Sequence, residues 1–285
     1  MKLDDVTPVI LTYNEEPNIE RVVAKLAWAN EVIVVDSFST DRTLAILREF
    51  PNVRVLQHSF EGHAAQWQYA ITEAGIATTW VLGLDADITL ADDAASEIAN
   101  LAPDADTAGY AAHFRYCVQG YPLPRSIFPD RILLFRKDRV SFRQDGHAHQ
   151  VAVDGQVGRL RNPVDHDDRK SLSRWIRAQD GYAKLERDKI LAAQPGELRG
   201  ADRVRARRGL APIAVLAYCL FVKKLIFAGL PGWYYTYQRV MAELLLSLYL
   251  IEDHLAKRGP RYGMASVLTI IGTRSASDHP SAASC

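Results

Sequence analysis

The chain has 285 residues, 48% of them hydrophobic and 24% charged, which is enough apolar content for a sizeable core and too much for a disordered chain. Lysine plus arginine equals aspartate plus glutamate at 34 each, which excludes a generally basic nucleic-acid binder, and no nucleic-acid partner is expected. That balance is a cancellation: residues 1–110 carry 18 acidic and 6 basic side chains, residues 111–198 carry 11 and 16, and residues 199–258 carry 4 and 10.

The first hundred residues alternate two periodicities. Apolar runs at 7–11, 31–35, 53–56 and 80–84 are short and rich in β-branched residues, as strands buried on both faces are. Between them lie segments of helical length: 17–28 with Pro17 at its start, 40–50 behind Ser39, and 63–74. This is a βαβαβαβ pattern, and right-handed crossovers would line the carboxyl ends of the strands along one edge of a parallel sheet, where open α/β sheets bind ligands. After Pro103 longer strands are expected at 109–118 and 131–136, separated by a loop at 120–129 with three prolines. One amphipathic helix is expected over 170–194, then two apolar helices over 210–255 broken at 229–232, then a polar, frayed tail at 259–285.

Cys117, Cys219 and Cys285 lie far apart without pairing or metal-ligand spacing, so a reducing compartment is expected. The opening MKLDDVTPVI does not read as a secretory signal. The longest uncharged apolar run, 210–222, has 13 residues against the roughly 20 that a spanning helix needs.

Carboxylates gather at the strand ends. The first strand leads into Thr12, Tyr13, Asn14 and Glu15, the second into Asp36, and the fourth into Asp85-Ala86-Asp87. Asp36 reads either as an acceptor for a base or ribose or as a helix cap, and Ser39 and Thr40 are better placed for capping. Asp85 and Asp87, leaving one buried strand together, offer hard oxygen ligands to Mg²⁺ or Mn²⁺, with diphosphate oxygens filling the remaining positions. No G-x-G-x-x-G or G-x-x-x-x-G-K-[ST] is present, which weakens dinucleotide and P-loop readings.

The run TPVILTYNEEPNIERVVAKLAWANEVIVVDSFSTDRT, followed by GHAAQWQYAI and WVLGLDAD, resembles the family 2 glycosyltransferases of GT-A fold, within them the branch of lipopolysaccharide-core β-glucosyltransferases. The resemblance extends to about residue 255. It implies that Thr12, Tyr13, Glu15 and Asp36 hold the nucleotide, that Asp85 and Asp87 meet a divalent cation and the donor diphosphate, and that His166 is a third metal or diphosphate ligand. Imidazole suits Mn²⁺ better than Mg²⁺; the other reading of His166 is a solvated group beside Asp165, Asp167 and Asp168. Two departures stand out. Many relatives carry His-Glu where this chain has His149-Gln150, and an amide cannot be a general base, so Asp145 is the nearest replacement; its other reading is a turn aspartate before glycine. Trp67-Gln68 stands where relatives often have a basic residue and asparagine. Arg131 and Arg169 are candidates for the acceptor or diphosphate side.

Residues 199–208 hold five arginines ahead of the apolar helices, which are followed by Trp233, Tyr234, Tyr235 and Tyr237. Such a segment suits either the headgroup region of an anionic leaflet or a helical pair packed on the catalytic unit. The expectation is therefore an α/β, GT-A type domain over 1–168 with a helical extension over 169–258. It would move a sugar from a nucleotide donor, UDP-linked, to an envelope glycolipid or polysaccharide, peripheral on the cytoplasmic face of the membrane. Two rivals remain: a metal-dependent nucleotidyltransferase, for which the first loop lacks a glycine-rich basic phosphate cradle, and an inactive GT-A adaptor, favoured by Gln150.

Overall fold

The computed structural model describes residues 1–146, 148–194 and 196–258; the tail at 259–285, Cys285 included, lies outside the described residues. The chain runs β1 (Val6–Thr12), α1 (Ile19–Ala24), β2 (Val32–Asp36), α2 (Thr43–Leu47), β3 (Val53–Gln57), α3 (His63–Glu73), β4 (Trp80–Asp85), β5 (Ile88–Thr89), α4 (Ala94–Ala99), β6 (Thr107–Ala112), β7 (Phe114–Val118), β8 (Tyr121–Pro122) and β9 (Arg131–Arg136). It continues through β10 (Val140–Asp145), β11 (Ala148–Val153), β12 (Gln156–Arg159) and β13 (Val164–His166) into α5 (Leu172–Ala192), α6 (Gly200–Arg205), α7 (Leu210–Ala217) and α8 (Gly229–Arg258).

Seven strands form the main sheet in the order β12-β6-β9-β4-β1-β2-β3. The four expected parallel strands are its centre and one flank, with β9 antiparallel between β4 and β6. The fold is thus α/β as expected, and the reason is visible in β1: all seven residues are buried, Val6 and Ile10 toward one helical layer, Val9 and Leu11 toward the other. A strand covered on both faces has no polar face to alternate with.

The second face holds the tightest approach in the sheet. A methyl group on Gly83 of β4 would sit 2.9 Å from the Trp67 ring and 3.0 Å from Phe135, and Trp67 is itself stacked on Phe142 at 5.7 Å. Trp67 is 3% exposed. Trp67 is therefore a core aromatic that requires glycine opposite it. Gly83→Ala is expected to cost about 1–3 kcal/mol by overpacking. Gly181→Ala in α5, where nothing lies within 4 Å, is expected to gain about 0.5–1 kcal/mol of helix propensity. Urea midpoints of the two variants should move in opposite directions; a neutral Gly83→Ala would contradict this packing.

Two expectations need correction. The strand expected over 109–118 is two strands: β6 belongs to the main sheet, whereas β7 joins a second sheet, β5-β13-β7-β8, so the chain changes sheets at His113. The helix break expected at 229–232 lies earlier. α7 widens into a π turn (Tyr218–Val222), Lys224 takes a left-handed φ of +57°, a tighter 3-10 turn follows (Leu225–Phe227), and α8 begins at Gly229 with Pro231 in its first turn. Proline suits a first turn because its missing N–H has no helical partner there.

α5 is capped by Ser171, whose hydroxyl accepts the Arg174 N–H at 3.3 Å. It buries Gln179, Ala183, Glu186 and Ile190 at helical spacing, and Ala183 and Ile190 pack against Leu246 and Leu250 of α8. Among the described residues no helix is long and apolar enough to cross a membrane.

Candidate active site

The carboxyl ends of β1, β2 and β4 come together as the topology requires: Thr12 is in register with Asp36, and Leu11 with Asp85. Asp36 is fully buried. Its Oδ2 accepts the Ser39 N–H at 2.9 Å and the Gln57 amide at 3.3 Å, and the Ser39 hydroxyl donates to Oδ1. Ser39 Oγ accepts the Asn14 N–H at 2.7 Å, and Asn14 Oδ1 accepts the Thr40 N–H at 2.6 Å, so the loops after β1 and β2 are laced to each other. Asn14 and Phe38 pay for this with left-handed φ of +54° and +60°. Ser39 and Thr40 do not cap α2. The N-cap residue is Arg42, and the Thr43 N–H in the first turn is bonded by Asp41 Oδ1 at 3.0 Å from one residue further back.

At the end of β4 the two aspartates diverge. Asp85 pairs with Arg131 at 3.3 Å. Burial alone would raise its carboxyl, but the Arg131 guanidinium above all holds it below its ordinary value. Asp87 meets His166, Oδ2 to Nε2 at 3.4 Å, because β13 pairs antiparallel with β5 and sets His166 opposite Ile88. Asp87 Oδ1, Thr12 Oγ1, Thr89 Oγ1 and His166 Nδ1 are buried without a hydrogen-bond partner. Buried polar atoms are ordinarily satisfied, so these four, on neighbouring strand ends, are the polar atoms at this edge still available to bond a ligand.

The remaining predicted residues divide. Tyr13 is exposed, its carbonyl accepting Arg174 at 2.9 Å. Glu15 is turned inward onto Lys170 at 2.6 Å and Asn18 at 2.8 Å. Burial opposes the Lys170 ammonium, but Glu15, Asp87 and Asp168 hold it above its ordinary value, so it remains charged. Arg169 donates to Asp167 at 2.8 Å, and Asp167 also receives Arg21 at 2.7 Å. Asp145 lies at the end of β10, bonded by Lys189 of α5 and by the Gln150 amide at 2.7 Å. The Lys189 bond above all holds its carboxyl below the ordinary range.

Sequence reasoning passed over His149. It lines a recess with Trp67, Asp85, Arg131 and Phe142, and burial pushes its imidazole down to about 4 in spite of Asp85. Its signal was alternation along β11, which turns His149 to the face opposite Gln150. The unfolded chain binds a proton here below about pH 6.5 and the folded chain does not until about 4, so stability rises with pH across that window. In EDTA, this group is expected to remove about 2 kcal/mol of stability between pH 7.5 and pH 5, a loss that His149→Gln should abolish. Equal acid sensitivity of variant and wild type in urea titrations would contradict the assignment.

The sequence model described as Glycosyl transferase family 2 matches residues 7–164, from the first residues of β1 to β13. The chain belongs to that family. It is 27% identical over 161 residues to the lipopolysaccharide core biosynthesis glycosyltransferase LpsC of Rhizobium meliloti (strain 1021), a match covering 53% of this chain and 58% of the relative. It is 36% identical over 94 residues to an uncharacterised glycosyltransferase of Rickettsia bellii (strain RML369-C), covering 33% of this chain and 31% of that one. The chain thus spans between a third and about three-fifths of the length of these curated relatives. Among solved structures, S. aureus TarS 1-349 in complex with UDP-GlcNAc aligns over 90% of this chain and 93% of its own, at 16% identity and a TM-score of 0.44.

Among the described residues, no group of three His, Cys, Asp or Glu side chains is set to enclose a metal ion by itself. A Mg²⁺ or Mn²⁺ site shared with a diphosphate needs fewer protein ligands. Asp87 with a free buried oxygen and His166 beside it fit that lesser demand, while Asp85 is occupied by Arg131.

Proposed function

We propose that the chain transfers a sugar, with inversion, from a nucleoside-diphosphate donor, UDP-linked, to a hydroxyl of an envelope glycolipid or polysaccharide. The observation that carries this reading is the set of unpartnered buried oxygens of Thr12 and Asp87 along the edge that holds Asp36. Family membership supports the reaction class, and the printed name of LpsC supports an envelope glycan as acceptor.

In this mechanism Asp36 and the laced loops after β1 and β2 hold the nucleoside, with the exposed Tyr13 ring beside it. Asp87 and His166 would hold a divalent cation, which when bound would supply charge to offset the departing diphosphate. Arg131 keeps Asp85 ionised and in place at the same edge. No covalent nucleophile is needed; one carboxylate takes the acceptor's proton as its oxygen attacks C1. Asp145 is that carboxylate in this reading, and to accept the proton it exchanges its Lys189 partner, which weakens it as a base, for the acceptor hydroxyl. The acceptor is membrane-borne, and the protein meets it at an anionic surface on the cytoplasmic side.

Release of UDP from a panel of UDP-sugars, with Mn²⁺ and a bacterial lipid extract, tests the proposal. Asp145→Asn is expected to lower kcat by about 10²–10⁴-fold with donor KM little changed, since the base acts on the acceptor. Wild-type turnover in that variant would remove Asp145. Nucleotide transfer in place of sugar transfer would favour the nucleotidyltransferase reading.

A further inference from the structure

Residues 203–242 contain seven basic side chains and no acidic one. Two of the seven turn inward: Arg205 pairs with Glu243 and Asp202, and Arg239 lies over the rings of Phe128 and Tyr235. Lys223 is half-buried over the Tyr218 ring, and Arg203, Arg207, Arg208 and Lys224 are exposed. Between them the chain presents Ile213, Phe221, Val222, Phe227 and Leu230 to solvent, the last two each 85% exposed. A scattered exposed leucine needs no explanation, but a run of large apolar side chains rimmed by cations does.

This surface is held rigidly. Leu225 and Cys219 are fully buried and pack with Tyr235, Tyr116, Val118 and Leu123. The Ile127 N–H donates to the Tyr235 hydroxyl at 3.2 Å. The 3-10 turn is thus anchored at Leu225, and Phe227 projects from it. The anchor also reaches the candidate site, because the Tyr116 ring lies 4.7 Å from Tyr235 and 5.0 Å from His166.

We infer that the surface formed by residues 213–230 inserts into the headgroup region of an anionic bilayer, with Phe227 and Leu230 entering deepest and Arg207, Arg208 and Lys224 resting on the phosphates. The expected basic cluster at 199–208 is therefore only part of the contact, and the π and 3-10 turns form its apolar tip. Charge complementarity selects the lipid over a second copy, since a two-fold contact through this face would set cations against cations. Apolar insertion with cationic anchoring is the physics of interfacial segments. The inference rests on the proposed transfer reaction for its purpose, a membrane-borne acceptor, and not for its physics.

The test uses the full chain and flotation with vesicles of equimolar phosphatidylcholine and phosphatidylglycerol, at low and at high salt. The wild type is expected to float at low salt, less at high salt, and poorly with phosphatidylcholine alone. Phe227→Ser with Leu230→Ser is expected to weaken partitioning at least tenfold with an unchanged melting temperature. Arg207→Ser with Arg208→Ser and Lys224→Ser is expected to weaken low-salt binding and flatten its salt dependence. Failure of the wild type to float at low salt would overturn the inference, as would wild-type flotation of the Phe227/Leu230 variant. So would a wild-type dimer in sedimentation that this variant splits without any vesicle binding. UDP release in vesicle-free buffer is read on the same samples: activity without flotation rejects only the membrane contact, and flotation without activity rejects only the transfer reading.

Discussion

Replacing Asp87 by asparagine is expected to lower sugar transfer by about 10²–10³-fold or more while leaving the fold intact. The amide keeps the volume of the side chain and removes the charge on which the proposed cation contact depends. Asp87 carries one buried oxygen without a partner and faces His166 through the other, so its carboxylate is held where internal hydrogen bonding does not need it. A structural aspartate looks different here: Asp167, buried at the same rim, receives Arg21, Arg169 and the Gly120 N–H at 3.0 Å. Single-turnover rates with saturating Mn²⁺ check the prediction. Full activity in Asp87→Asn, or undiminished wild-type activity in EDTA, would remove the cation from the mechanism.

The largest expected effect on stability comes from Arg205→Met. Arg205 joins three helices: it bonds Glu243 of α8 through Nη2 at 2.6 Å and Nε at 3.0 Å, Asp202 of α6 at 3.0 Å, and lies 3.7 Å from Glu186 of α5. Burial opposes its charge, and Glu243, Asp202 and Glu186 more than restore it. Removing one partner of this largely buried ion-pair network leaves the others uncompensated, a loss of up to about 3–5 kcal/mol. The same network reaches the β10–β11 hairpin, because Lys189 bonds both Asp202, at 2.9 Å, and Asp145. Exposed Arg207→Ser and Arg208→Ser should each stay within about 0.5 kcal/mol of wild type. Urea unfolding of the three variants separates them, and a stable Arg205→Met would show that the helices are held by their apolar contacts alone.

Arg205 also shows where the sequence stops being informative. It sits among four other arginines within ten residues, and nothing local tells it from Arg203 or Arg207. What singles it out is Glu243, 38 positions away. The central sheet was legible because a strand buried on both faces is an unbroken apolar run, and Asp36 and Asp85 were legible because they end such runs. The change of sheets at His113 was not, since residues 109–118 are uniformly strand-forming and the partner that captures β7 is β13, some fifty residues on. His166 was named from family resemblance; its meeting with Asp87 depends on the β13–β5 pairing, a contact between segments nearly eighty residues apart. His149 stayed hidden behind its neighbour Gln150, whose amide binds Asp145 and leaves the recess at Asp85 to the histidine.

The central claim is that the edge bearing Asp36, Asp87 and His166 binds a nucleoside diphosphate together with a divalent cation. Calorimetric titration of UDP into the full chain, once with Mn²⁺ and once with EDTA, tests it without any assumption about sugar or acceptor. Binding at least tenfold tighter with Mn²⁺, a gain of about 1.4 kcal/mol or more that Asp87→Asn erases, is the expected result. UDP affinity unchanged by EDTA, or no UDP binding in either buffer, would contradict it.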